Sequence, residues 1–295
     1  MTAAGRHALA RGRRWLSRLA IPEGDVENQI LLIFGLAVTS ADSHTLKELG
    51  KKAGGFVWFQ YEGDPLPAIC ANRTLVANGI VHDSLSKLER EYRTVLQSSD
   101  PRGMELLYDL LSIPFTHTPR FSIPSLPLLA TATRKQILEL CRLATMTLSC
   151  GIRQVEPPRD AAVLPQLAVS YARDWDLEVS SALLRACTYM GLAGCAACTW
   201  VFEWLLDQQQ ADGSIGLLRA EARKRGKNPE DWRTYFQSTL HALWAIADTV
   251  GANPALIRLL TSKILKTSTG GNERARLTTK ARRSRATSCD SRSSI

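Results

Sequence analysis

Nowhere does the chain hold a run of roughly 18 apolar residues, the minimum for a membrane-crossing helix. It has no Gly-rich phosphate loop, no Gly-x-Ser-x-Gly turn and no His-Glu-x-x-His pair. Nucleotide cradling, hydrolase-type acylation and zincin chemistry therefore have no motif to rest on. Strand-like alternation is scarce. One short apolar run, residues 56–61, invites a strand, but a run that short is not assignable by periodicity and reads here as an aromatic helix end or edge. Acidic residues are missing before Glu23, and bulky apolar residues are almost missing after Lys266.

Those last two absences locate the charge. Of the net +9, residues 1–20 contribute +5 through Arg6, Arg11, Arg13, Arg14 and Arg18, and residues 267–295 contribute another +5, leaving −1 for residues 21–266. A nucleic-acid reader is expected to carry its positive charge on the fold itself, so a near-neutral body disfavours nucleic acid as a partner. The tail over 267–295 is Ser/Thr/Arg-rich and is expected to be disordered, since it cannot bury enough surface to order itself. Residues 1–20 read as a basic first helix, with Trp15, Leu16 and Leu19 inward and the arginines solvated. A transit peptide or a membrane-surface helix share that pattern. The seven cysteines are an odd number scattered mostly through apolar helices, which reads as reduced thiols in a cytoplasmic protein.

What is present is helical periodicity. Helices are expected over 26–38, 44–52, 84–97, 103–111, 133–148, 158–172, 176–190, 194–209, 229–250 and 254–266, with short breaks in the second half. Short breaks favour helical hairpins, so the fold class is all-α. Four prolines between Ile113 and Pro127 predict an extended connection there, which either divides the helical stretch 21–266 into two domains or joins helices within one. The strongest helix carries Trp232, Tyr235, Phe236, Thr239, Leu240, Leu243 and Ala247 at helical spacing as one buried stripe. Asn228 and Pro229 are expected to start it.

Five constellations carry whatever chemistry the sequence offers. In the segment Trp204–Gly216, a Trp-bearing helix runs into glutamines and an Asp-Gly turn. Glutamines can bridge helix ends, Asp212 can form an Asx turn, and Gly213 and Gly216 can take positive φ. Asp174 and Asp176 flank Trp175 before a helix start, where an aspartate caps or, facing a cavity, acts as an acid. His117 sits in the proline-rich connection, a fair position for binding or proton transfer. His241 follows Gln237 by one helical turn beside Trp232 and Tyr235, which together suggest a ligand-lining aromatic face. Cys195-x-x-Cys198 lacks a second pair and reads, with Gly191 and Gly194, as a small-residue face where two helices approach.

The Gln-Asp-Gly turn resembles the repeats of terpenoid-cyclase and protein-prenyltransferase α/α toroids, at Trp204, Gln208, Gln209, Asp212, Gly213 and Gly216. One copy is present. The segment Tyr235–His241 is similar to the zinc-holding segment of prenyltransferase β-subunits, but Gln237 stands where that family has a zinc-ligating His. The Asp174/Asp176 pair is similar to the acid motif of class II cyclases, but Leu177 replaces its last Asp. The resemblance thus implies the toroid scaffold without its metal, and no cofactor is expected. The order of Thr116-His117-Thr118, the Asp-Trp-Asp-Leu-Glu helix start and the Gln-Asp-Gly turn also resembles an uncharacterised actinobacterial family. Two functions follow as expectations. One is a non-catalytic binding or accessory protein, of the kind found in bacterial secondary metabolism, holding a small apolar or peptide ligand in a helical cleft. The other is a degenerate-toroid enzyme acting on an isoprenoid or polycyclic substrate through His117, Asp174, Asp176 and His241, with Trp175, Trp232, Tyr235 and Gln237 against the ligand.

Overall fold

The computed structural model describes residues 2–22, 24–39, 44, 64–81, 83–117, 120–124, 126–153, 157–228 and 230–251. The run over 56–61, the helix expected over 44–52 (His44 apart), that over 254–266, Pro229 and the tail over 267–295 lie outside the described residues. Within them the protein is all-α. Its helices are α1 (Thr2–Ser17), α2 (Val26–Val38), α3 (Pro65–Ala77), α4 (Asp83–Gln97), α5 (Glu105–Leu111), α6 (Leu126–Ala130), α7 (Arg134–Thr147), α8 (Leu164–Arg173), α9 (Leu177–Tyr189), α10 (Ala196–Asp207), α11 (Arg219–Lys224) and α12 (Arg233–Thr249). Two short 3₁₀ turns, Ser149–Gly151 and Arg159–Val163, precede α8.

Local sequence sets most of these boundaries. Asp25 accepts from the Asn28 amide at 3.4 Å and starts α2, and Thr133 and Gln136 form a reciprocal capping box at α7. Asp176 accepts from the Val179 amide at 3.1 Å and starts α9. At α12 the expected cap is displaced. The helix begins at Arg233, and the aspartate that meets its amide, at 3.0 Å, is Asp231, while Asn228 turns instead to the Glu230 amide. The proline-rich connection is not wholly extended, because Leu126–Ala130 makes a turn of helix. Proline is tolerated in a first helical turn, where its missing N–H has no partner to lose.

At the centre lies α9, which packs against α7, α8, α10 and α12. Its buried apolar residues, among them Val179, Ala182, Leu183, Leu184, Ala186 and Cys187, cover a broad arc, and Glu178, Ser181, Arg185 and Thr188 share the remaining face. A helix with so wide an apolar arc belongs in an interior. One cluster of buried apolar residues runs from Leu9 to Ala247 and includes residues on both sides of the proline-rich connection. The N-terminal helix joins this core as expected: Trp15 and Leu16 are buried, and Arg6, Arg14 and Arg18 are exposed. It comes close to α12 because Gly12 has no side chain. A Cβ there would lie 2.4 Å from the Leu243 side chain.

The Trp204–Gly216 turn is the latch between α1 and α12. Gln209 Nε2 donates to the Ala8 carbonyl at 2.9 Å and to the Gly213 carbonyl at 3.0 Å, and the Arg11 guanidinium donates to the Gln210 carbonyl. Asp212 accepts from both the amide and the hydroxyl of Ser214, an Asx turn. On the other side, the Ile215 amide donates to Thr239 Oγ1 at 2.8 Å and the Ser238 hydroxyl to the Ile215 carbonyl at 2.7 Å. Gly213 has φ +101°, and a Cβ there would meet the Arg11 carbonyl at 2.4 Å. Gly216 is not in the positive-φ region. It is needed because the Tyr235 ring lies where its Cβ would be, at 2.7 Å.

Candidate functional site

Helices α2, α3, α7, α9 and α12 enclose a cavity of about 320 Å³, near the lower end of the range for small-molecule sites. Its walls are apolar: Leu31 and Phe34 from α2, Leu66 and Pro67 from α3, Leu138, Cys141 and Met146 from α7, Ala182 from α9, Leu240 and Trp244 from α12. Glu27, Asp64, Arg142 and Glu178 bring charge to the lining, and all four keep solvent exposure. Gln237 and His241, both singled out from the sequence, line it too.

The residue that distinguishes this cavity is Arg185. It is 6% exposed and projects from the central helix. Its guanidinium lies 3.6 Å from the centroid of the Trp244 ring, which is itself held edge-on by Phe34 at 4.7 Å. That stacking recovers roughly 0.5–2 kcal/mol of a desolvation cost of several kcal/mol. Nε and Nη1 of Arg185 find no hydrogen-bond partner among the described residues. The same holds for Nε1 of Trp244 and Nδ1 of His241. Three buried N–H donors, with an imidazole nitrogen, are thus contributed by residues lining one apolar chamber.

His241 is half-buried, and its Nε2 lies 3.7 Å from a carboxylate oxygen of Glu178. Burial and the neighbouring Arg185 cation push its pKa down to about 4, against the smaller opposing pull of Glu178, so the ring is neutral at physiological pH. Glu178 is also paired to Arg134, which in turn holds Asp176 at 2.6 Å. A chain of charges therefore runs from Asp176 through Arg134 and Glu178 to His241.

The remaining sequence-derived candidates are dispersed. Asp176 caps α9 and is bound to Arg134; Asp174 ends α8 and is exposed. Trp175, in the left-handed region at φ +61°, is 37% exposed and packs edge-on to Trp204 at 6.0 Å. Trp232 stacks edge-on to Phe236 at 5.4 Å, and Tyr235 is buried over Gly216. None of these five lines the cavity. His117 lies in a separate open cleft with Tyr108 and Phe115, its Nε2 2.9 Å from the buried carboxylate of Glu105. The Cys195 region is not a close helix approach: Gly191 and Gly194 are solvent-facing with nothing near a notional Cβ, and Cys195 instead caps α10.

Arg185 and Trp244 were not anticipated. A lone arginine in a helix reads as solvated by default. No local signal marks it, because Glu178, Ser181, Arg185 and Thr188 share one helical face, on which a solvated arginine would also sit. The comparisons add no name to this geometry, for neither a family model, nor a curated protein, nor a solved structure matches the chain.

Proposed function

We propose that the protein is a non-catalytic binding protein that encloses a small apolar molecule between α2, α3, α7, α9 and α12. The observation that carries this reading is an apolar chamber of about 320 Å³ built on the most buried helix of the fold and bordered by charge at its mouth. A chamber of that size suits a small molecule better than a peptide. The toroid likeness supports the reading through a single feature, the Gln-Asp-Gly latch, which is structural. An accessory role in bacterial secondary metabolism, in the cytoplasm, rests on the same likeness and on the free cysteines.

Native mass spectrometry of the protein purified from its own host tests this. An apolar small molecule is expected to co-purify. Ala182→Phe, which fills the chamber from α9, is expected to lose that mass while keeping its helical circular-dichroism spectrum. A folded Ala182→Phe protein that still carries the molecule sinks the proposal.

One observation favours a second reading, a degenerate-toroid enzyme. His241, held neutral, faces Glu178 at 3.7 Å beside the unpartnered guanidinium, an arrangement able to move a proton near a charge-stabilising group. Conversion of the co-purified molecule, lost in His241→Gln, distinguishes an enzyme from a carrier.

A further inference from the structure

The chamber is apolar, yet its lining includes a buried full positive charge. Arg185 is more than nine-tenths buried, its Nε and Nη1 have no partner among the described residues, and Trp244 Nε1 and His241 Nδ1 are likewise without one. A purely apolar guest would leave all of these unsatisfied and the charge uncompensated, the costliest way to fill a cavity. We propose that the ligand is an amphiphile with one carboxylate, taken up by the guanidinium of Arg185 beside Trp244 Nε1, while its apolar body lies along Leu31, Leu66 and Leu240.

A guanidinium presents parallel donors that match a carboxylate's two oxygens, and such charge-assisted bonds are the strong ones. The surrounding charge limits the head group to a single negative charge. Besides Arg185 the lining holds, among the described residues, one cation, Arg142, already hydrogen-bonded to Asp64 and Glu139 at 3.4 Å, against the carboxylates Glu27, Asp64 and Glu178. A phosphate monoester would bring nearly two charges into that field. Trp244 contributes twice, its face to the arginine and its N–H to the ligand. His241, neutral, presents its Nδ1 edge without a competing charge.

This inference rests on the binding reading above, and the test separates the two. Decanoate, decanol and decyl phosphate share one apolar chain, and their affinities for the full-length protein are measured by isothermal titration calorimetry at neutral pH. Decanoate is expected to bind at least about tenfold more tightly than decanol, the low end for a charge-assisted pair, and more tightly than decyl phosphate. In Arg185→Met, decanoate should weaken to the level of decanol while decanol is unchanged, which also shows that the variant is folded. Trp244→Phe keeps the ring and removes the N–H, and should weaken decanoate a few-fold and decanol not at all. Equal binding of decanoate and decanol by the unsubstituted protein overturns the carboxylate and leaves the apolar-binding reading intact. Tighter binding of decyl phosphate overturns the choice of head group. Binding of none of the three overturns both readings.

Discussion

Among the arginines that lie over aromatic rings in this protein, two are otherwise opposites. Arg153 lies over Phe115 at 4.7 Å, and its guanidinium is paired by Asp109 at 2.7 and 2.9 Å, with Ser149 completing the cluster. Arg185 lies over Trp244 at 3.6 Å, more deeply buried, with Nε and Nη1 unmatched. The fold therefore has the means to neutralise a half-buried cation, as it does at Arg153. At the other it supplies an aromatic face, an indole N–H and a chamber. A satisfied buried charge is architecture; an unsatisfied one beside a cavity marks a site where stability is given up for binding.

Substitutions that give the two arginines opposite signs would sharpen that contrast. The largest effect is expected at Asp109. Asp109→Ala strands Arg153 and Ser149 together and should cost about 3 kcal/mol in urea unfolding, since breaking a paired charge leaves its partner uncompensated. Arg185→Met should do the reverse, raising the stability of the ligand-free protein by about 1–2 kcal/mol, because it removes an uncompensated charge and keeps the volume. A destabilised Arg185→Met would mean that Arg185 is structural after all, and the contrast would collapse.

A smaller effect separates the sites by pH. The folded-state pKa of His241 lies below its unfolded value, so the unfolded chain takes up the proton first as pH falls. The neutral imidazole's contribution is complete above about 6.5 and is lost as pH falls through about 4. With His241 partly exposed, that amounts to about 1–2 kcal/mol. His241→Gln should flatten the stability profile across this window, and Arg185→Met should shift the window upward by removing a cation that disfavours His241 protonation. An unchanged slope in His241→Gln would separate His241 from the electrostatics of the chamber.

How much of this was legible in the sequence varies with the physical range of each signal. Signals within a few residues were sound. Asp25 and Asp176 cap as their positions suggest, the bounds of α2 match the apolar run, and Asp212 makes its Asx turn. Helix α3 went unseen because Pro65 and Pro67 look like breakers, whereas at a helix start they are tolerated. The site was half visible. His241 and Gln237 stand out as polar groups on an aromatic helix, but what makes their wall a chamber comes from α2, α3, α7 and α9, at long sequence separation. Asp174, Asp176, Trp175 and Trp232 look functional by residue type, yet capping, ion pairing and ring stacking account for them.

The Gln-Asp-Gly latch sets an order of events during synthesis. Its bonds to α1 join residues about 200 positions apart: Gln209 to Ala8, and Arg11 to Gln210. Helix α1 also packs against α12, which is made later still, and against its neighbour α2. It can thus meet α2 early, where Leu16 approaches Gly35, but its berth is complete only once α12 has been translated. Contacts of such long separation slow folding and lengthen the exposure of apolar surface. The five arginines of residues 1–20 then acquire a kinetic meaning: like-charged side chains flanking the waiting apolar face keep one nascent chain from sticking to the next.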